Sequence, residues 1–151
     1  AYQRLPIGGE QDVMRQALAV QSMQEALKVY TIEEFPREYA MVQNNLGNAY
    51  QYMPSGDRVD KLDRAIEAYH EALRVRSRSR APVEYAVTMS NLANAYANVP
   101  AEERQQMLGL AERCYGEAHE IFSEYQLADH AATVEQALAQ VRRDLGQLAV
   151  R

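Results

Sequence analysis

Three histidines, one cysteine and twenty-one carboxylates are the side chains here that could carry nucleophilic, acid–base or metal chemistry. Such chemistry needs convergence: a nucleophile beside a base, or ligands at finger-like or one-face helical spacing. His70, His119 and His130 show neither spacing with Cys114 or with one another. Glu102-Glu103, Glu117 and Glu120 fall on polar helix faces, and Gly8-Gly9 lacks the following Lys-Ser/Thr of a phosphate-cradling loop. The expectation is therefore no enzyme, no metal and no cofactor. Amides are the better-supplied chemistry. Asn44, Asn45, Asn48 and Gln51 come within eight residues, and Asn91, Asn94 and Asn98 within another eight. An amide carries one acceptor oxygen and two donor hydrogens, which match the C=O and N–H of a peptide bond.

The elements that would position these amides repeat. Offset by 46 residues, positions 38–83 match 84–129 at about sixteen places. Glu38-Tyr39-Ala40 returns as Glu84-Tyr85-Ala86. Asn45-Leu46 with Asn48-Ala49-Tyr50 returns as Asn91-Leu92 with Asn94-Ala95-Tyr96. Leu62, Ala65, Tyr69, Glu71 and Ala72 return as Leu108, Ala111, Tyr115, Glu117 and Ala118. Upstream, Ala19, Glu25, Ala26, Leu27 and Val29 precede Ala65, Glu71, Ala72, Leu73 and Val75 by one period. Downstream, Leu138 takes the place of Leu92. The opening Ala1-Tyr2-Gln3 then Pro6 resembles Ala49-Tyr50-Gln51 then Pro54, so the chain is expected to begin inside a repeat, at the end of a helix.

Apolar spacing within a unit is helical. Val42, Leu46, Ala49, Tyr50 and Met53 mark one face of a first helix, and Leu62, Ala65, Ile66, Tyr69, Ala72 and Leu73 one face of a second. Pro54-Ser55-Gly56-Asp57 between them is a turn. The spacing predicts helices over 10–31, 37–53, 58–77, 83–98, 101–125 and 129–148. The chain then divides into a partial repeat 1–36, repeats 37–82 and 83–128, and a closing helix 129–148, all in one domain over 1–151.

Opposite the core face, the first helix of each unit presents the candidate site residues. These are Met41, Asn44, Asn45, Asn48, Gln51 and Tyr52, then Val87, Ser90, Asn91, Asn94, Ala97 and Asn98, then Thr133, Gln136, Gln140, Arg143 and Asp144. Asn45 with Asn91, and Asn48 with Asn94, form two rows across neighbouring units. Two readings stay open for the rows: they hold an extended chain by its backbone, or they bond across the seam and keep the units in register. Tyr50, Tyr69, Tyr96 and Tyr115 belong to core faces, whereas Tyr52 points with the amides. Cys114 stands where Ala68 stands one period earlier and reads as a small core residue. Arg74, Arg76, Arg78 and Arg80 form the one dense charge cluster. They read as solvated cations at a helix C-terminus, or as a patch for an acidic partner or a phosphate.

Composition sets the outer bounds. Hydrophobic residues make up 47% and charged residues 25%, as in folded domains, with sparse Gly and Pro. The formal net charge of −5 argues against non-specific nucleic-acid binding. No apolar run reaches the roughly 20 residues of a membrane span. The lone Cys114 fits a reducing compartment, and the cytoplasm is the default expectation.

Leu46-Gly47, Tyr50, Ala65, Tyr69 and Ala72 resemble the tetratricopeptide consensus of small and large residues. Val29-Tyr30-Thr31, Phe35-Pro36, Asn44-Asn45-Leu46-Gly47-Asn48-Ala49-Tyr50 and Gly56-Asp57-Arg58 are closer to the long, Asn-rich repeats of kinesin light chain type and of bacterial, especially cyanobacterial, signalling proteins. The unit departs from the usual 34-residue form through longer helices and a longer connection. The resemblance implies an all-α fold, an α-solenoid of helix-turn-helix repeats in a right-handed superhelix. It also implies a concave surface lined by the first helices, which would hold a protein or peptide through the Asn rows, related families using Asn at matching positions in this way. Two rivals remain: a spacer within a larger scaffold, and the regulatory or sensor arm of a multidomain enzyme such as a protease or nucleotide-dependent switch. The last helix reads as a polar cap, with Ala137, Gln140 and Arg142 at the Asn and Tyr positions. The N-terminal end has no such cap, which predicts self-association there.

Overall fold

The computed structural model describes residues 4–54 and 56–150, with side chains at 4–9 and 101 outside the description. The described residues form six α-helices and one 3-10 turn, with no strand among them. The helices are α1 (Arg4–Val29), α2 (Pro36–Gln51), α3 (Arg58–Leu73), α4 (Pro82–Ala97), α5 (Arg104–Glu124) and α6 (Ala128–Val150); the 3-10 turn is Ala101–Glu103.

Local chemistry explains most boundaries. Pro36 and Pro82 open α2 and α4, where a missing N–H is no loss and the fixed φ suits a first helical residue. Asp57 caps α3, its Oδ1 accepting from the Asp60 N–H at 2.9 Å, and Gly56 supplies the preceding φ of +92°. At the end of α5, Gln126 takes a φ of 59°. Its N–H reaches the Ser123 carbonyl at 3.1 Å, and the Leu127 N–H reaches the Phe122 carbonyl at 2.8 Å. That pair of bonds is a Schellman ending.

Two expectations need correction. The first helix begins at Arg4 rather than at residue 10, so Pro6, Gly8 and Gly9 lie inside α1. Pro6 falls in the first turn, where its absent N–H has no intrahelical partner to lose. The expectation about Ala1-Tyr2-Gln3 lies outside the described residues. The third helix stops at Leu73 instead of residue 77. There the backbone tightens, with Arg74 N–H on the Glu71 carbonyl at 3.2 Å and Val75 N–H on the Ala72 carbonyl at 3.1 Å. Ser77 then organises a turn, its Oγ accepting from the Arg80 N–H at 3.1 Å.

Each helix packs on the next in the chain, and α2 also meets α4, giving a helical repeat-like fold. Alanines at 65, 72, 86, 93, 95, 111 and 118 are fully buried between helices and let backbones approach. Tyr69, Leu108, Ile121 and Phe122 fill the space between them. Gly47 marks the closest approach: a Cβ built there would lie 2.4 Å from the Tyr69 ring. Among the described residues no helix is long and apolar enough to cross a membrane.

Candidate binding surface

The α2–α4 seam is polar and closed upon itself. Asn44, only 6% exposed, accepts at Oδ1 from the Thr88 hydroxyl at 3.0 Å and from Asn91 Nδ2 at 3.2 Å. Thr88 is fully buried, and its Oγ1 also accepts from Arg76 Nη1 at 3.0 Å. Gln51 Nε2 reaches the Asn91 carbonyl at 3.3 Å and the Tyr69 hydroxyl at 2.8 Å, and Tyr69 donates to Asn48 Oδ1 at 2.6 Å. Asn94 Oδ1 accepts from the Tyr115 hydroxyl, and Asn94 Nδ2 lies 3.5 Å from the Tyr52 hydroxyl. Gln51 Oε1 is buried without a hydrogen-bond partner among the described residues.

This network sorts the candidate residues. Asn44 is withdrawn from solvent, which corrects its placement on an open face: α4 packs over it and Thr88 and Asn91 satisfy its acceptor. Asn48, Gln51, Asn91 and Asn94 are half-buried and engaged in the seam. Asn91 bonds to Asn44, not to the Asn45 that the repeat aligns with it. Asn45, Asn98 and Tyr52 are exposed, Tyr52 at 58%. Asn98 Nδ2 turns back to the Asn94 carbonyl at 2.8 Å, while its own carbonyl takes Arg58 Nη2 at 3.1 Å. On α6, Gln136, Gln140 and Arg143 are exposed. Arg143 Nη2 bonds Gln140 Oε1 at 2.7 Å, and Gln140 Nε2 bonds Asp144 at 2.9 Å.

Several contacts recur at an offset of 46 residues along the chain. Tyr69–Asn48 is matched by Tyr115–Asn94, and Tyr39–Glu71 by Tyr85–Glu117. Gln24 Nε2 on the Tyr50 hydroxyl at 3.0 Å is matched by His70 with the Tyr96 hydroxyl at 3.1 Å. Burial raises the phenol pKa of both Tyr69 and Tyr115, so both remain donors. Tyr85 is pushed up to about 12 by burial and by its bond to Glu117. Tyr50, Tyr69 and Tyr115 are buried and Tyr96 half-buried. Cys114 is buried too, and burial pushes its thiol up to about 11.

A groove of about 830 Å³ opens beside this seam, between the N-terminal turns of α2 and α4 and the α3–α4 loop. Arg37, Arg76 and Arg80 line it with Glu38 and Glu84, and Met41 and Val75 add apolar surface. Burial lowers the Arg76 pKa, an effect the nearby Glu84 carboxylate opposes. Arg74 and Arg78 turn elsewhere, Arg74 to Glu71 at 2.8 Å and Arg78 to Glu120 at 3.2 Å. Sequence reasoning missed Thr88 and the groove. The available signal for Thr88 was a hydroxyl residue in the place that Val42 holds one unit earlier. Comparison with protein-family models, with curated proteins and with solved structures finds no match.

Proposed function

We propose that this chain is a protein-interaction module of tetratricopeptide type that binds a peptide or protein segment and catalyses nothing. In this reading the six helices form a right-handed α-solenoid of about 46-residue period, and α2, α4 and α6 line its concave side. The observation that carries it is the recurrence of the Tyr–Asn, Tyr–Glu and Gln/His–Tyr contacts at that one offset, since equivalent contacts imply equivalent units. The amides divide into two jobs. Asn44, Asn48, Gln51, Asn91 and Asn94 set the register between helices, and the exposed Asn45, Tyr52, Asn98, Gln136, Gln140 and Arg143 meet the ligand. The ligand is an extended segment whose backbone those amides read.

A selection of phage-displayed random peptides on the intact chain tests this. Binders should lose about tenfold or more in affinity for an Asn45→Ala/Tyr52→Ala double variant whose circular dichroism and melting are unchanged. Selection of no enriched sequence, or equal binding to the variant, would overturn the reading. A second reading concerns α1, which pairs with a second copy through Met14 and Leu18, 66% and 56% exposed. Sedimentation should then show concentration-dependent association that Met14→Lys/Leu18→Lys abolishes. A clean monomer at high concentration would count against it.

A further inference from the structure

We infer that Ser79, in the loop between α3 and α4, is a modification site: it accepts a phosphoryl group from a protein kinase with a carboxylate-lined cleft, and the phosphate ties the loop down. The inference is independent of the peptide-binding reading and of the exposed amides.

A hydroxyl that enters another enzyme's cleft must sit on backbone that leaves its own fold at little cost. Helix α3 ends at Leu73 and α4 begins at Pro82, which leaves residues 74–81 outside both. Ser79 is exposed there, whereas Ser77 is half-buried and its Oγ already accepts from the Arg80 N–H at 3.1 Å. Little else holds the turn closed. The Ala81 N–H meets the Ser77 carbonyl at 2.9 Å, Ser77 Oγ lies 3.4 Å from Ser79 Oγ, and Arg78 makes surface pairs with Glu117 and Glu120. Exposed pairs of this kind add little stability. Arg76, bonded to Thr88, anchors the start of the loop while the rest opens.

Charge selects the enzyme. Ser79 lies between Arg78 and Arg80, with Arg74 and Arg76 further back, on a chain of net charge −5. Arg74, Arg78 and Arg80 are exposed, and Arg80 makes no ion pair among the described residues. This segment attracts an acidic cleft that the rest of the surface repels. In the transfer, Ser79 Oγ bonds to the γ-phosphorus of a nucleoside triphosphate and its proton passes to the kinase's base. The bond from that phosphorus to the β,γ-bridging oxygen breaks, and the nucleoside diphosphate leaves with the electron pair. The product carries a charge of about −1.5 to −2 and three strong acceptor oxygens. Arg80 then gains a partner and Arg78 is drawn from Glu117 and Glu120, so charge-assisted bonds replace weak surface pairs.

The test incubates the intact chain with ATP and a protein kinase selective for serines flanked by arginine. Tandem mass spectrometry of the digest should place one phosphoryl group on Ser79. Ser79→Ala should remove the product and Ser77→Ala should leave it. Arg78→Gln/Arg80→Gln should slow the transfer about tenfold or more, with circular dichroism showing that every variant folds. In the modified chain, amide exchange across residues 77–81 should slow about tenfold. No transfer to the folded chain, transfer to Ser77 instead, or an unchanged rate in the arginine variant overturns the site. Unchanged exchange after complete modification overturns the tightening of the loop.

Discussion

Tyr69 is a fully buried ring of α3 whose hydroxyl donates to Asn48 Oδ1 at 2.6 Å while accepting from Gln51 Nε2 at 2.8 Å. One side chain thus ties two residues of α2 to its neighbour, and burial keeps the phenol protonated. Tyr69→Phe preserves the ring and removes both bonds, leaving the Asn48 acceptor without that donor. The expected cost is about 1–3 kcal/mol, read as a lower urea midpoint at constant slope. Tyr115→Phe, which strips the same donor from Asn94, should cost a similar amount. If both variants lose less than about 0.5 kcal/mol, water has replaced the hydroxyls and the ties are dispensable.

Thr88 is the hinge of the polar seam, with Arg76 on one side of its hydroxyl and Asn44 on the other. Thr88→Val keeps the shape and deletes the hydroxyl of a fully buried side chain. Arg76 then loses a partner in a partly buried position, and Asn44 keeps only Asn91. A loss of about 1–3 kcal/mol is expected. Adding Asn44→Leu should deepen the loss, because Asn91 Nδ2 then loses its acceptor as well. A neutral Thr88→Val would show that the seam carries no stability of its own.

Glycine has opposite values at two helical positions. At Gly47 a methyl would sit 2.4 Å from the Tyr69 ring, so Gly47→Ala must displace the ring that holds Asn48 and Gln51. Overpacking of this kind costs about 1–3 kcal/mol. At Gly109 a Cβ meets nothing within 4 Å, so Gly109→Ala should stabilise α5 by about 0.5–1 kcal/mol through helix propensity. Thermal melts of the two variants should move in opposite directions. Equal and small shifts would mean that the Tyr69 ring has slack.

The helices were legible because their apolar residues keep a helical period and their ends carry Pro36, Asp57 and Pro82. The close approach at Gly47 was foreshadowed only through the Leu46-Gly47 resemblance. The division of the amides was not legible. The apolar spacing places Asn48 and Tyr69 on different faces of different helices, and only the packed geometry shows the phenol reaching the amide. The arginine run divides the same way. Arg74 with Glu71 is a three-residue helical pair that sequence can suggest, but Arg78 finds Glu117 and Glu120 about forty residues on. Arg76, bonded to Thr88, and Arg80 line the groove instead.

Glu71 gives the fold a measurable acid limb. The Tyr39 hydroxyl donates to its Oε1, Arg74 donates at 2.8 Å, and these bonds hold the carboxyl below its ordinary value of 4.5. A carboxyl lowered in the folded state stabilises that state at pH above 4.5. The contribution fades as pH falls through the lowered folded value, where Glu71 takes up its proton. Tyr39→Phe removes the largest cause of the lowering, so its deficit against wild type should be greatest near neutral pH and should narrow on acidification. Urea unfolding of both proteins across a pH series down to about 3 reads this directly. A deficit that stays constant with pH would show that the Tyr39 hydroxyl contributes independently of the charge on Glu71.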